Sequence, residues 1–167
     1  MVTIRPFEAG DAEECCRIIN ASISTMEGLN PAARALVIAK NDPPALAAEL
    51  AGCHAVVAEG PGGKLEGVGA LDGAVIRRIY VRAGGQRRGT GRVLLAALEA
   101  QAVRQGLTRL TLQASLSSVP FYQALGYQRL GDDVSRNGEA EVRHVAMAKA
   151  LADGDRTPPE GPSGTGS

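Results

Sequence analysis

Val75-Ile76-Arg77-Arg78-Ile79-Tyr80-Val81-Arg82-Ala83-Gly84-Gly85-Gln86-Arg87-Arg88-Gly89-Thr90-Gly91-Arg92-Val93-Leu94-Leu95 is the stretch whose reading decides the fold. It opens as an apolar, β-branched run, passes through a short polar turn with glycines, and continues with helical composition. The first N–H groups of a helix have no intrahelical partner and lie at the positive end of its dipole, so an anion is stabilised there. Gly89 and Gly91 lack a Cβ, which lets a ligand oxygen approach the backbone closely. Arg87, Arg88 and Arg92 place positive charge around the same turn, and the planar guanidinium suits phosphate. Strand, phosphate-sized turn and helix start therefore occur in one piece.

Two well-defined phosphate loops do not fit this turn. The nucleoside-triphosphate loop ends in Gly-Lys-Ser/Thr, which the chain does not contain. The dinucleotide loop needs G-x-G-x-x-G, and Gly84 to Gly91 do not have that spacing. Gln86-Arg87-Arg88-Gly89-Thr90-Gly91 does fit Gln/Arg-x-x-Gly-x-Gly/Ala. In this it resembles the pyrophosphate-binding signature of the GNAT superfamily, the acetyl-CoA-dependent N-acetyltransferases. The same six residues are also compatible with a glycine-rich β–α turn that binds nothing, so a second motif has to decide.

At 167 residues the chain is long enough for one domain with a substantial core. Its apolar content of 44% and charged content of 22% are those of an ordinary globular chain. Lys and Arg equal Asp and Glu at 18 each, which argues against nucleic acid as the main partner. Three cysteines, two of them adjacent at Cys15 and Cys16, make no disulfide framework and point to a reducing, cytoplasmic setting. The apolar runs are too short for a membrane span, and Met1–Arg5 is no signal peptide. Two histidines far apart and no Cys-x-x-Cys give no basis for a metal site.

The order of elements follows from the periodicity. Val2–Phe7 alternates as a first, edge strand. Asp11 stands at the start of a helix through about residue 25, Pro31 opens a second over 32–39, and a third covers Ala45–Ala51. Cys53–Glu59, Lys64–Asp72 and Val75–Val81 read as an antiparallel meander joined at Gly60–Gly63 and Asp72-Gly73. The helix after the phosphate turn ends at Gly106, and Leu107–Ala114 returns as a strand parallel to, or splayed from, Val75–Val81. Val119–Leu125 is a short helix, and Tyr127–Leu130 and Glu141–Met147 are final strands joined by a polar loop, Gly131–Gly138. The segment from Asp153 to Ser167 has no apolar residue, so 153–167 is expected as a disordered tail after a domain over 1–152.

The second motif lies about 30 residues beyond the first. Leu112-Gln113-Ala114-Ser115-Leu116-Ser117-Ser118-Val119-Pro120-Phe121-Tyr122-Gln123-Ala124-Leu125-Gly126-Tyr127 resembles the other GNAT hallmark, a strand followed by Phe-Tyr-x-x-x-Gly-Phe/Tyr. The resemblance spans about residues 3–149. It implies an α/β (α+β) fold with a mixed, mostly antiparallel sheet of six or seven strands, helices on both faces and a splayed central strand pair. It also implies acetyl-CoA as acyl donor, with the pantetheine arm laid between Val75–Val81 and Leu107–Ala114. Ile79, Tyr80 and Val81 then lie along the arm, with the backbone of Ile79 and Val81 pairing with its amides. Gln86, Arg87, Arg88, Gly89, Thr90, Gly91 and Arg92 surround the pyrophosphate. Ser115 stands where many relatives have an asparagine that contacts CoA, and Tyr122 matches their general acid.

No carboxylate lies on Val75–Val81 to serve as base; Asp72 and His54 are the nearest candidates, and none is assigned. The acceptor wall is expected from residues 24–45 and 131–139, with Glu27, Arg34, Lys40, Asp132, Asp133 and Arg136 as its charged groups. A small-molecule or amino-acid amine is the expected acceptor. A protein N-terminus or lysine, and a non-catalytic acyl-CoA sensor, are the alternatives. A homodimer is compatible with the chain, and no metal, membrane or nucleic-acid partner is expected.

Overall fold

The computed structural model describes residues 1–85 and 88–151. Among these residues seven strands form one sheet in the order β1-β2-β3-β4-β5-β7-β6, with five α-helices. The strands are β1 (Thr3–Pro6), β2 (His54–Glu59), β3 (Leu65–Asp72), β4 (Val75–Val81), β5 (Arg109–Ala114), β6 (Gln128–Asn137) and β7 (Ala140–Ala150). The helices are α1 (Ala12–Thr25), α2 (Pro31–Lys40), α3 (Pro43–Ala51), α4 (Thr90–Arg104) and α5 (Val119–Ala124). Every neighbouring pair is antiparallel except β4 and β5.

Local chemistry sets the helix boundaries. Asn30 accepts from the Ala33 N–H at 2.9 Å and Asp42 from the Ala45 N–H at 2.9 Å, so α2 and α3 start on capping side chains followed directly by proline. Asp11 precedes α1 as expected but does not cap it. Its carboxylate is held by both terminal nitrogens of Arg5 at 2.9 Å and accepts from the Glu8 N–H at 2.8 Å. It ties α1 to β1 instead.

The core has two parts, one on each face of the sheet. On one face Cys15, Ile18, Ile19 and Ile23 of α1 pack with Leu46 and Leu50 of α3 and with Val57 and Val68. On the other, Leu94, Leu95, Leu98 and Ala102 of α4 pack with Leu110, Leu112, Val145 and Met147. The sheet lets α4 approach closely because β3 carries Gly67 and Gly69 on that face. A Cβ at Gly67 would lie 2.8 Å from Leu94 Cδ1, and one at Gly69 would lie 3.3 Å from Leu98 Cδ1.

One expectation is overturned. Gly131–Gly138 is no loop: β6 continues to Asn137 and pairs with β7 down to Asn137↔Ala140, closing on Gly138-Glu139 with Gly138 at φ +61°. β6 is the outermost strand and is exposed along most of its length, so polar residues are tolerated where a buried strand would need apolar ones. Among the described residues no helix is long and apolar enough to cross a membrane, and no group of His, Cys, Asp or Glu is arranged to hold a metal ion.

Candidate functional site

The site is created by a failure of pairing between β4 and β5. Their parallel register holds only at Val75↔Thr111 and Ile76↔Leu112. Immediately afterwards β4 carries an extra residue, because Leu71 faces Ile76 while Ala70 faces Arg78, leaving Arg77 bulged out. A bulge bends its strand and sharpens the twist. Beyond it β4 stays on β3 and leaves β5, and the gap opens into a cleft of about 760 Å³.

The hydrogen-bond phase of β4 determines what faces this gap. The Arg82 N–H donates to the Glu66 carbonyl at 2.8 Å, and Glu66 is the residue next in register after Gly67↔Val81. Antiparallel pairs alternate between bonded and non-bonded, so Arg82 and Tyr80 direct their N–H and C=O groups at β3. Ile79 and Val81 direct theirs at the cleft. They form a short unpaired strand edge suited to an extended amide-bearing ligand.

At the far end of β4 stands the start of α4. Gly89 precedes it at φ +80°, a left-handed conformation that a side chain would strain, and among the described residues no side chain caps the helix. The first-turn amides are therefore available to an anion. Gly91 carries a packing constraint beside the role expected of it. A Cβ there would lie 3.2 Å from the Phe121 ring, so the missing side chain also makes room for Phe121 where Gly91 lines the cleft. Thr90 is buried with its methyl toward Gly67, which leaves only its backbone for a ligand.

Opposite β4, α5 brings Tyr122 into the cleft. Phe121 and Tyr127 hold it edge-on at ring distances of 5.0 and 5.6 Å. Tyr127 is fixed in turn by its 2.7 Å hydroxyl bond to Glu99, which also takes Lys149 at 3.2 Å. The Tyr122 hydroxyl has no hydrogen-bond partner among the described residues. Burial first, with the Tyr80 phenol adding to it, pushes its pKa well above the ordinary phenol value, so it carries its proton across the neutral range.

Of the residues singled out in the sequence, Ile79, Tyr80, Val81, Gly89, Gly91, Arg92, Ser115 and Tyr122 all line the cleft. Tyr80 contributes its half-buried side chain, its backbone being used on β3. The Ser115 hydroxyl lies 2.6 Å from that of Ser118. Arg88 and Thr90 are not among the lining side chains, and Gln86 and Arg87 lie outside the described residues. Neither base candidate reaches the cleft. His54 sits in a separate groove beside α3, and Asp72 is paired with Arg77 at 3.2 Å.

The far wall differs most from expectation. Residues 131–139 contribute nothing to it, and the charged residues expected there are engaged elsewhere or face away. The Arg34 guanidinium donates to the carbonyls of Ile23, Met26 and Leu29, Asp132 pairs with Arg129 at 2.9 Å, and Arg136 pairs with Glu141 at 3.6 Å. The wall takes Thr25, Met26 and Leu29 from the expected 24–45 segment, and adds Ser22, Val142, Arg143 and His144 in place of 131–139. Backbone bonds fuse its two halves: Arg143 N–H donates to Gly28 O at 2.7 Å, Asn30 N–H to Glu141 O at 3.1 Å, and Leu29 bridges Val142. The side chain of Asn30 adds bonds to the Glu139 carbonyl at 2.8 Å and from the Glu141 N–H at 3.0 Å. Period-two alternation in Glu141–Met147 sets Val142 and His144 off the core face of Val145 and Met147, the sequence signal for the β7 half of this wall.

Comparison with known proteins agrees with this geometry. The family model of an acetyltransferase (GNAT) domain matches residues 35–151. A GCN5-related N-acetyltransferase from Rhodopseudomonas palustris, described as aminotransferase, class-II, is similar at 26% identity and a TM-score of 0.82, over 90% of this chain and 96% of that one. The acetyltransferase yncA of Salmonella typhimurium, solved with acetyl-CoA, is similar at 18% identity and a TM-score of 0.66, over 96% and 98%. A phosphinothricin acetyltransferase of Sinorhizobium meliloti, in complex with acetyl-CoA, is similar at 20% identity and a TM-score of 0.69, over 96% and 94%. At the two lower identities the likeness is one of fold.

Proposed function

The chain belongs to the GNAT acetyltransferases, and we propose that this acyltransferase moves an acetyl group from acetyl-CoA to the primary amine of a small molecule or amino acid. The observation that carries the reading is the convergence on one cleft of three features. These are the outward-facing backbone of Ile79 and Val81, the uncapped start of α4, and the protonated Tyr122. Pantetheine amides pair with the first, and the pyrophosphate takes the Thr90–Arg92 amides with Arg88 and Arg92 close by. Gln86 and Arg87 belong to the same turn in the sequence, and Ser115 is a further hydroxyl along the cofactor's path. Acetyl-CoA as donor is supported by the Salmonella and Sinorhizobium proteins, which were solved with it.

In the chemical step the amine attacks the thioester carbonyl, the C–S bond breaks, the departing thiolate takes the proton of Tyr122, and the proton shed by the amine nitrogen returns through solvent to restore the phenol. A protonated phenol beside the sulfur lowers the barrier only as charge develops there, which is where catalysis is gained. The tied wall of Leu29 and Val142 supports a compact acceptor, since it confines the space beyond the thioester.

The test is thiol release from acetyl-CoA across a panel of primary amines, with product mass measured for each. Release that depends on the amine, with an acetylated product, is expected. Tight CoA binding with no release from any amine would overturn the reading in favour of a non-catalytic acyl-CoA sensor.

A further inference from the structure

Acetyl transfer sheds a proton from the amine nitrogen, and the cleft offers few groups able to take it. Among its described lining residues there is no Asp, Glu, Lys or Cys. A guanidinium has no lone pair to give, and serine and threonine hydroxyls are very weak bases. Burial raises the pKa of both lining phenols, Tyr80 and Tyr122, so each keeps its own proton. That leaves His144, the single imidazole among the described lining residues.

The register of β7 brings His144 to this place. Alternation along the strand sends Val145 and Met147 into the core and leaves Val142 and His144 on the other face. Val142 is bridged there to Leu29 of the α1–α2 loop, and His144 lines the cleft two residues on. On β6, Ser135 stands opposite Val142 in the register, and its hydroxyl lies 3.1 Å from Nε2 of His144. Nδ1, on the other edge of the ring, is buried and has no partner among the described residues.

A buried ring nitrogen without a partner is unfavourable unless something satisfies it. The cleft that His144 lines is where such a partner can enter. Ser135 suits this arrangement, because its oxygen can accept the Nε2 proton and leave Nδ1 as a bare lone pair. It can go on accepting when the ring takes up a second proton. Building on the acetyl-transfer reading, we propose that His144 is the general base of the reaction, with Nδ1 receiving the proton of the attacking amine. As the C–N bond forms, an N–H bond of the amine breaks and the Nδ1–H bond forms. The imidazolium then releases the proton to solvent, the route by which the Tyr122 phenol is restored. Acid and base come from different elements, α5 and β7, and both line the same cleft.

The experiment follows thiol release, under conditions where chemistry limits the rate, with an amine that the wild type acetylates. Wild-type protein is run beside His144→Gln and His144→Ala. Both variants should lose about 10²–10⁴ in kcat, the usual range for a positioned base, while CoA affinity by calorimetry stays unchanged. Imidazole added to His144→Ala should recover about tenfold or more of the lost turnover, and it should not speed the wild type. Pyrazole, a ring of the same size and far weaker basicity, fills the same space and should recover none. A fall in kcat of less than about threefold overturns the proposal while leaving acetyl transfer intact, as does a loss confined to KM or equal recovery with pyrazole. Release from no amine in the wild type overturns both.

Discussion

Tyr122 and Gly91 lie on either side of the Phe121 ring, and each yields a prediction at the scale of one residue. Tyr122→Phe keeps the ring packing with Phe121 and Tyr127 and removes only an unpartnered hydroxyl. CoA affinity should be unchanged, and turnover should fall by about 10²–10⁴, the usual range for a positioned acid. A fall of less than threefold in steady-state assays limited by chemistry would return Tyr122 to a packing role. Gly91→Val must displace Phe121, so it should lower stability by about 1–3 kcal/mol in denaturant titration as well as weaken CoA. The sequence motif identified both residues, yet it did not show the Phe121 ring beside Gly91, because a pattern shows that a side chain is forbidden and not everything that forbids it.

At the scale of elements, the α1–α2 loop and β7 behave as one wall, and Asn30 is its rivet. Its side chain accepts from Ala33 at the start of α2 and from Glu141 on β7, and it donates to the Glu139 carbonyl. Asn30→Ala removes a helix cap and leaves backbone groups unpaired, at a cost of about 1–2 kcal/mol. It should also raise KM for the acceptor with little change in CoA affinity. An unaltered KM would separate this wall from the acceptor. The β4 meander, α4 and β5 were readable because a buried strand and a packed helix both write their period in apolar residues. β6 was not, because an exposed edge strand has no such period. Its turn was nonetheless present as Gly138-Glu139, a two-residue hairpin loop with glycine at its first position, hidden by polar neighbours. The β4 bulge was invisible because it depends on the register with β3.

At the scale of the whole molecule, the pH dependence of stability follows from the direction of the shifts. Burial raises the pKa of Tyr80, Tyr122 and Tyr127, with the Glu99 carboxylate adding to the effect at Tyr127. An unfolded chain loses these phenolic protons near pH 10 while the native state keeps them, so this contribution is intact below about pH 10 and is lost as pH rises beyond it. On the acid side the Arg5 and Arg78 hydrogen bonds hold Asp11 and Glu49 below their ordinary values. Their contribution is present above about pH 4 and is lost as pH falls through the native pKa values. Thermal melts should therefore show a plateau between these limits, and a midpoint still rising at pH 11 would contradict the assignment. From composition, removal of residues 154–167 should leave both melting and turnover unchanged. The central claim, that acetyl-CoA lies as an added strand on β4, is tested most directly by residue-resolved amide hydrogen exchange with and without saturating acetyl-CoA. The amides of Ile79, Val81 and the first turn of α4 should slow, while that of Tyr80, already bonded to β3, should not change. Unaltered exchange at Ile79 and Val81 in the bound protein would contradict the account.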